Sequence, residues 1–391
     1  MMTEKLFWQN PYQAEFVARI LDQFQAPDGN AVVLDQTCFY ATSGGQPNDL
    51  GTLNSVLLKD VRFDENRLLH ITTKPLEGIE AHGIVDWKRR FDHMQQHTGQ
   101  HILSAAFYRL FQAETSSFHL GEDYCSIELN RPDLTADQIS QAEEHSNAVI
   151  FGAISIDAFL IDPEKAADYS LRKQSDLKEA LRIIRIGDFD QSPCSGTHVR
   201  NSGEVGMAFI TGTEKLSQTL KVSFLCGARI AKRYHLDLDI LKSLSRSMTT
   251  SFEQLPDSLS KLLEQVKDTR KELARVTEEQ LKSEAGQLAA QAVRENEMLP
   301  VVHVWKRPYS EVRFIAQKLS EVPGLFGGLA STSDRRAVFF KNRELALDIR
   351  PVFQRFLSEH SAKGGGPPHL MEAGGFTIAN DFESKFLDLF R

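Results

Sequence analysis

The chain has 391 residues, 41% of them hydrophobic and 25% charged, the balance of an ordinary soluble protein with enough length for two or three cores. No apolar run approaches the roughly 20 residues of a membrane span, and Met1 to Phe16 lack the basic-then-apolar layout of a secretory signal, so a cytoplasmic location is expected. A formal net charge of -8 argues against a broad, sequence-blind polyanion binder but leaves open a nucleic acid met through a local basic patch.

From Ala31 to Asp86, short β-rich runs alternate with turn residues such as Ser43-Gly44-Gly45 and Pro47-Asn48-Asp49, the pattern of a small β-domain. Phe91, Met94, Ile102, Leu103, Ala106 and Leu110 then recur at helical spacing and predict a helix over Phe91 to Phe111. Strand candidates at Tyr124 to Leu129 and Ile154 to Leu160 flank a polar helix, Thr135 to Phe151, that opens on the cap candidate Thr135. Further β-like runs, Leu181 to Ile186, Val205 to Thr211 and Leu220 to Leu225, make this region α+β. Between Leu255 and Met298, Leu259, Leu262, Val266, Leu273 and Val276 keep a heptad-like spacing whose phase falters at Thr269 and Gln280. A short coiled segment or helical arm fits, its apolar seam covered by another chain or by a returning helix. After Pro300 an α/β pattern begins: strands at Val301 to Trp305, Leu325 to Ala330 and Arg336 to Phe340, and helices at Glu311 to Ser320 and Val352 to His360. A glycine-rich loop, Gly364 to Pro368, and a closing helix end it.

The chemistry concentrates in two short segments. His97 and His101, four residues apart on a predicted helix, project from one face within reach of a single ion. Cys194 and His198 bracket Ser195-Gly196-Thr197 in a loop that Pro193 and Gly196 make tight. Three imidazoles and a thiolate form a soft nitrogen and sulfur set suited to tetrahedral zinc. The residue after the first histidine is Thr98, not the glutamate of HExxH metalloproteases, which disfavours peptide hydrolysis by that route. Four cysteines, sparse and irregularly spaced, disfavour a disulfide scaffold. Cys38, Cys125 and Cys226 sit in apolar strand-like stretches and read as small buried hydrophobes.

Three motifs now stand in order: Asp35 to Tyr40 with Ser43-Gly44-Gly45-Gln46-Pro47-Asn48-Asp49-Leu50-Gly51, then His93 to His101, then Cys194-Ser195-Gly196-Thr197-His198. Together they resemble the editing domain of alanyl-tRNA synthetase and its free-standing AlaX-type relatives. Ser361-Ala362-Lys363-Gly364-Gly365-Gly366 and Glu372-Ala373-Gly374-Gly375 are similar to the DHH-associated domain that follows it, which points to the long AlaX form. The chain departs from the family pattern at Ala41-Thr42-Ser43 and at Ser195.

The resemblance implies an α+β fold of four parts: an N-terminal small β-barrel-like domain (1–88), a zinc-binding α+β editing domain (89–235), a helical arm (236–299) and a C-terminal α/β DHH-associated domain (300–391). It implies one zinc ion on His97, His101, Cys194 and His198, and hydrolysis of a serine or glycine ester on alanine tRNA. With the synthetase core expected to be missing, aminoacylation is set aside and editing in trans is expected. Rejecting alanine while accepting serine needs a hydrogen bond to the extra hydroxyl. Thr98 is the nearest candidate by position, its other reading being a helix threonine bonded to its own backbone; Gln46 either lines the pocket or sits in a turn. Lys363, Gly364, Gly365 and Gly366 offer a cation and unobstructed N–H groups, a cradle for an RNA phosphate or simply a turn. A homodimer through the arm and tail is expected. The rival from another class is a non-catalytic tRNA-binding protein with a structural zinc. A DHH-type phosphoesterase ranks lower, because the chain has no Asp-His-His triplet.

Overall fold

The structure, a computed structural model, describes residues 3–122, 124–162, 164–165, 169–172, 181–294, 300–376 and 381–390. The chain divides into two compact units, Met1–Ser243 and Leu244–Arg391.

The first unit opens with β1 (Glu4–Lys5) and the one-turn helix α1 (Leu6–Gln9), then β2 (Glu15–Ala26), β3 (Gly29–Leu34) and β4 (Gln36–Thr37), which pairs in parallel with β1. β5 (Gly51–Leu53), β6 (Val56–Asp64), β7 (Arg67–Thr72) and β8 (Glu80–Val85) follow, and the strands close on themselves in the order β2-β3-β7-β6-β5-β8. Alternation along the strands turns Phe16, Val32, Leu34, Leu53, Val61 and Leu68 inward to one core.

The long helix α2 (Trp87–Phe111) starts where the Asp86 side chain accepts from Arg89 N, four residues before the expected Phe91, and ends at Gln112, which takes a left-handed φ of 53°. It is buried from His93 to Phe107, although His93, Gln95, Gln96, His97, Thr98, Gln100, His101 and Ser104 are polar. Buried polar groups need partners, so the helix is held by specific bonds as well as by packing. Gln96 illustrates this: its Oε1 accepts from Cys226 N at 2.8 Å and its Nε2 donates to Cys226 O at 2.9 Å. Gly99 permits that approach, since a Cβ there would lie 2.2 Å from Cys226 Sγ.

Around α2 stand β9 (Thr115–Leu120), β10 (Cys125–Leu129), α3 (Ala136–Phe151), β11 (Ile156–Ile161), β12 (Leu181–Ile186), β13 (Asp190–Pro193), β14 (Ala208–Lys215) and β15 (Leu220–Cys226). They form the antiparallel sheets β14-β15-β10-β9 and β11-β12-β13. Thr135 caps α3 in a reciprocal box with Gln138, as its position suggested. Cys38, Cys125 and Cys226 are buried, and burial pushes the Cys38 and Cys125 thiols up to about 11 and about 12. The exposed helix α4 (Ala228–Met248) follows, with no buried residue.

The second unit contains α5 (Leu255–Arg294), β16 (Val301–Trp305), α6 (Tyr309–Ser320), β17 (Phe326–Ser331), β18 (Arg336–Lys341), α7 (Arg350–Glu359), β19 (Lys363–Gly365), β20 (Leu370–Gly374) and α8 (Phe382–Asp388). The expected run of α5 to Met298 passes, after Arg294, outside the described residues. Among the described residues no helix is long and apolar enough to cross a membrane.

The four-part architecture expected from the sequence is corrected: the chain forms two units. Long-range bonds fuse the first two parts. Arg90 on α2 pairs with Asp49 from the β-domain, both side chains fully buried, and Arg90 Nη1 donates to Pro11 O at 2.8 Å. Trp8 Nε1 reaches Ser195 O at 2.9 Å. The arm is likewise joined to the tail, because Leu281, Ala285 and Ala289 of α5 share a core with Val312, Ile315 and Leu319 of α6. The tail sheet, in the order β16-β17-β18-β20-β19, is parallel only between β16 and β17, its other pairs being antiparallel. Only α6 makes a crossover that a parallel pair requires; β17 and β18 are joined by a short turn.

Candidate metal centre

Helical spacing stacks the His97 and His101 rings one turn apart on α2, centroids 5.2 Å from each other. The other half arrives at the end of β13. Its pairing with β12, Ile183 opposite Pro193, carries Cys194 to the histidine face. Three successive carbonyls are then fastened: Arg182 Nη1 donates to Cys194 O at 3.0 Å and Gly196 O at 2.8 Å, and Trp8 Nε1 to Ser195 O between them. Gly196 lies so close to His97 that a Cβ would stand 2.1 Å from Cε1 of the ring.

The result is one cluster. Cys194 Sγ is 3.3 Å from His97 Nε2, and the His198 ring is centred 4.5 Å from that of His97 and 5.0 Å from that of His101. One donor atom from each of His97, His101, Cys194 and His198 falls within 4.8 Å of all the others. The Cys194 sulfur therefore meets the requirement that atoms around a single ion stand a few ångströms apart.

Outer partners orient the donors. His97 Nδ1–H donates to Gln46 Oε1 at 2.8 Å, which leaves Nε2 facing the cluster. Gln46 is itself fixed at both ends, accepting from Thr197 N at 3.0 Å and donating to Thr197 Oγ1 at 2.8 Å. His101 Nδ1 lies 3.1 Å from Ser192 Oγ and 3.7 Å from Asp190 Oδ2, and Arg172 holds that carboxylate at 2.8 Å.

His101 Nε2 and both ring nitrogens of His198 are buried with no hydrogen-bond partner, so each of the two rings has one nitrogen to offer an ion. Burial alone would raise the Cys194 thiol, but His97 beside it and the hydrogen bond from His101 bring it well below its ordinary value. Burial works to lower His101, yet the Asp190 hydrogen bond and Cys194 prevail and push it up to about 9. Burial drives His198 down to about 3, a neutral imidazole. Three imidazoles with inward-facing or unpartnered nitrogens converge with a cysteine sulfur on one point, a soft nitrogen and sulfur set, so the residues fit zinc.

Thr98 and Gln46 adjoin the cluster. Thr98 is buried and its Oγ1 accepts from Val199 N at 3.2 Å, so it secures the loop after Thr197. Gln46 positions His97. Lys363, Gly364 and Gly365 form the edge strand β19 rather than a loop, paired with β20, and Gly364 lies where a Cβ would stand 2.1 Å from Glu372 O. Gly366 follows with a φ of 145°. Sequence reasoning missed Trp8, Arg182, Asp190 and Ser192. A signal existed for two of them: Asp190, Ser192 and Cys194 alternate, so a strand there puts all three on one face.

Residues 181–221, which include Cys194 and His198, match the family model of the threonyl and alanyl tRNA synthetase second additional domain. The chain is 28% identical to the alanyl-tRNA editing protein AlaX-L of Pyrococcus horikoshii over 392 aligned residues, 94% of each chain. It is 34% identical over 239 residues to the alanyl-tRNA editing protein Aarsd1 of Rattus norvegicus, covering 60% of this chain and 58% of that one. It is 29% identical over 314 residues to an alanine–tRNA ligase of Pyrococcus abyssi, covering 76% of this chain and 34% of the ligase. The chain thus spans nearly all of the first relative, little over half of the second and a minor part of the third. Those matches, together with the assembled cluster, make the chain a homologue of the AlaX-type and Aarsd1 alanyl-tRNA editing proteins that also carries the synthetase-associated domain.

Proposed function

We propose that this chain is a zinc-dependent hydrolase acting in trans on alanine tRNA wrongly charged with serine or glycine. The observation that carries the reading is the convergence of His97, His101, Cys194 and His198, each a free or oriented donor, in a homologue of editing proteins. Bound zinc supplies a Lewis acid there and lowers the pKa of any water it binds toward about 7. The chain's own residues prepare the site. Gln46 holds His97 with Nε2 inward, Ser192 and Asp190 orient His101, and Arg182 and Trp8 keep the Cys194 loop in place. Burial of the histidines keeps bulk water from competing.

A second reading, a non-catalytic tRNA binder with a structural zinc, draws support from the donor count, since sites filled by four protein ligands are usually structural. Incubation with serine-, glycine- and alanine-charged alanine tRNA separates the two. Release of serine or glycine with alanine retained supports the hydrolase; binding without release of any amino acid refutes it and favours the second reading.

The partner is tRNA, and Lys363 to Gly366 on the exposed edge of the tail sheet are assigned a backbone-phosphate contact. Removal of the residues after Pro300 then weakens tRNA affinity and flattens its salt dependence. A cytoplasmic location and a homodimer through α5 complete the proposal. Leu259, Leu262, Val266 and Leu273 are exposed along that helix, and a monomer by light scattering at micromolar concentration removes the dimer.

A further inference from the structure

We infer that Gln100 selects the amino acid on the ester, its side-chain carbonyl accepting a hydrogen bond from a hydroxyl on the substrate's β-carbon. The inference rests on the hydrolase reading above and commits it to serine over glycine.

Placement comes first. Three residues on α2 advance the direction by about 60° short of a full turn, so Gln100 points about 60° to one side of His97, the side away from His101, and Ser104, seven residues on, lies about 20° from His97 on that same side. It is 3% exposed. Its Nε2 donates to Ser104 Oγ at 2.8 Å, and Ser104 Oγ receives a second bond from Thr115 Oγ1, also at 2.8 Å. Thr115 opens β9, the strand whose Phe118 ring is centred 5.8 Å from that of His97. Ser104 and Thr115 thus fix the amide from behind.

Its Oε1 is buried and has no partner. The contrast with its neighbours is sharp, because Gln96 and Gln46 use both ends of their amides. A buried acceptor left unpaired is penalised, and a native structure retains one where something else pairs with it. Among the described residues, three of the other orphaned atoms belong to His101 and His198. Gln100 Oε1 is the orphan that is purely an acceptor on the same helix.

The ligand must therefore bring a donor. The side chains of glycine and alanine have none, whereas serine has a hydroxyl. The α-ammonium is a donor common to all three, so a bond to it would act on every ester alike and leave the serine-to-glycine ratio unchanged. Thr98, the residue expected from its position, has its oxygen engaged by Val199 N. A site that pairs a hydroxyl disfavours an amino acid lacking it, because its own polar group then stays unpaired.

The test uses the full zinc-loaded chain and measures kcat/KM on alanine tRNA charged with serine and with glycine. Gln100→Met keeps the length and removes the acceptor, and the serine-to-glycine ratio of kcat/KM is expected to fall roughly 10- to 100-fold. Gln100→Glu retains an acceptor and keeps the ratio closer to that of the unaltered chain. Thr115→Val, which loosens Ser104 without touching the amide, lowers the ratio by a smaller factor and serves if Gln100→Met fails to fold. An unchanged ratio in whichever of Gln100→Met and Thr115→Val folds, or equal losses on both esters, overturns the inference while leaving the hydrolase intact. An unaltered chain that hydrolyses neither ester overturns both.

Discussion

Adding one methyl group at Gly196 should dismantle the metal centre. In Gly196→Ala the new Cβ stands 2.1 Å from His97 Cε1, 2.4 Å from Nδ1 and 2.9 Å from Gln46 Oε1. Carbon atoms rest at about 3.5 to 4.0 Å, so the ring and the loop must separate by more than about 1 Å. Neither side yields easily. The ring is held by Gln46 and by a helix buried from His93 to Phe107, and the loop by three carbonyl bonds to Arg182 and Trp8. Metal–ligand distances tolerate about 0.2 Å, so the displacement costs His97 as a ligand along with its bond to Gln46. Loss of an outer partner alone weakens metal affinity about 10- to 100-fold; losing the donor as well should exceed 100-fold, or about 3 kcal/mol. Competition against a chromophoric zinc chelator near pH 7 measures this. Gly286→Ala, with nothing within 4 Å of the added methyl, is the control expected to bind normally. Zinc affinity in Gly196→Ala within threefold of the unaltered chain would falsify the steric reasoning.

Gln46→Met removes the acceptor for His97 Nδ1 while keeping the side chain's length, so zinc affinity should fall about 10- to 100-fold by the same competition assay; equal affinity shows that the ring needs no lock. Asp49→Ala leaves Arg90 charged and buried without its carboxylate, and denaturant unfolding should show a loss of about 3 to 5 kcal/mol; a loss under 1 kcal/mol means that water reaches the guanidinium. Burial holds His70 down to about 4 against its ordinary 6.5, so the unfolded chain takes up the proton first as pH falls. Stability from this neutral imidazole is complete above about 6.5 and lost between there and about 4, on the order of 3 kcal/mol. His70→Gln can keep the bonds to Val32 O and Thr37 Oγ1 without titrating, and its pH dependence of unfolding should be flatter by that amount.

The donors were legible because each pair is local: helical spacing joins His97 to His101, and a tight loop joins Cys194 to His198. What supports them was not, since Trp8 and Ser195 are 187 residues apart and no periodicity links them. The strand β2 escaped notice because its outward face carries Val17 and Leu21, both exposed, which blur the alternation set by Phe16 and Ala18. The glycines after Lys363 were read as a loop from composition, yet Gly364 is needed for the approach of one strand to another. For Gln100 nothing in the sequence distinguishes an amide with a free carbonyl from its paired neighbours; only the three-dimensional count of partners does.

Gln96 has a mechanical consequence for the centre beside it. Its two bonds to the Cys226 backbone are those that an adjoining strand would offer, so the helix is indexed to β15 as a strand would be, at the residue just before the first ligand. Helix packing alone leaves orientations scattered by about 15 to 20°. A pair of directional bonds narrows that freedom, and since each residue along a helix turns about 100° and rises about 1.5 Å, fixing Gln96 sets the azimuth of His97 and His101 together. The same sheet continues through β10 to β9, where Phe118 flanks His97 and Thr115 supports Ser104. The histidines and the wall they face thus share one datum, and strain that tilts the sheet carries both along without opening the gap between them.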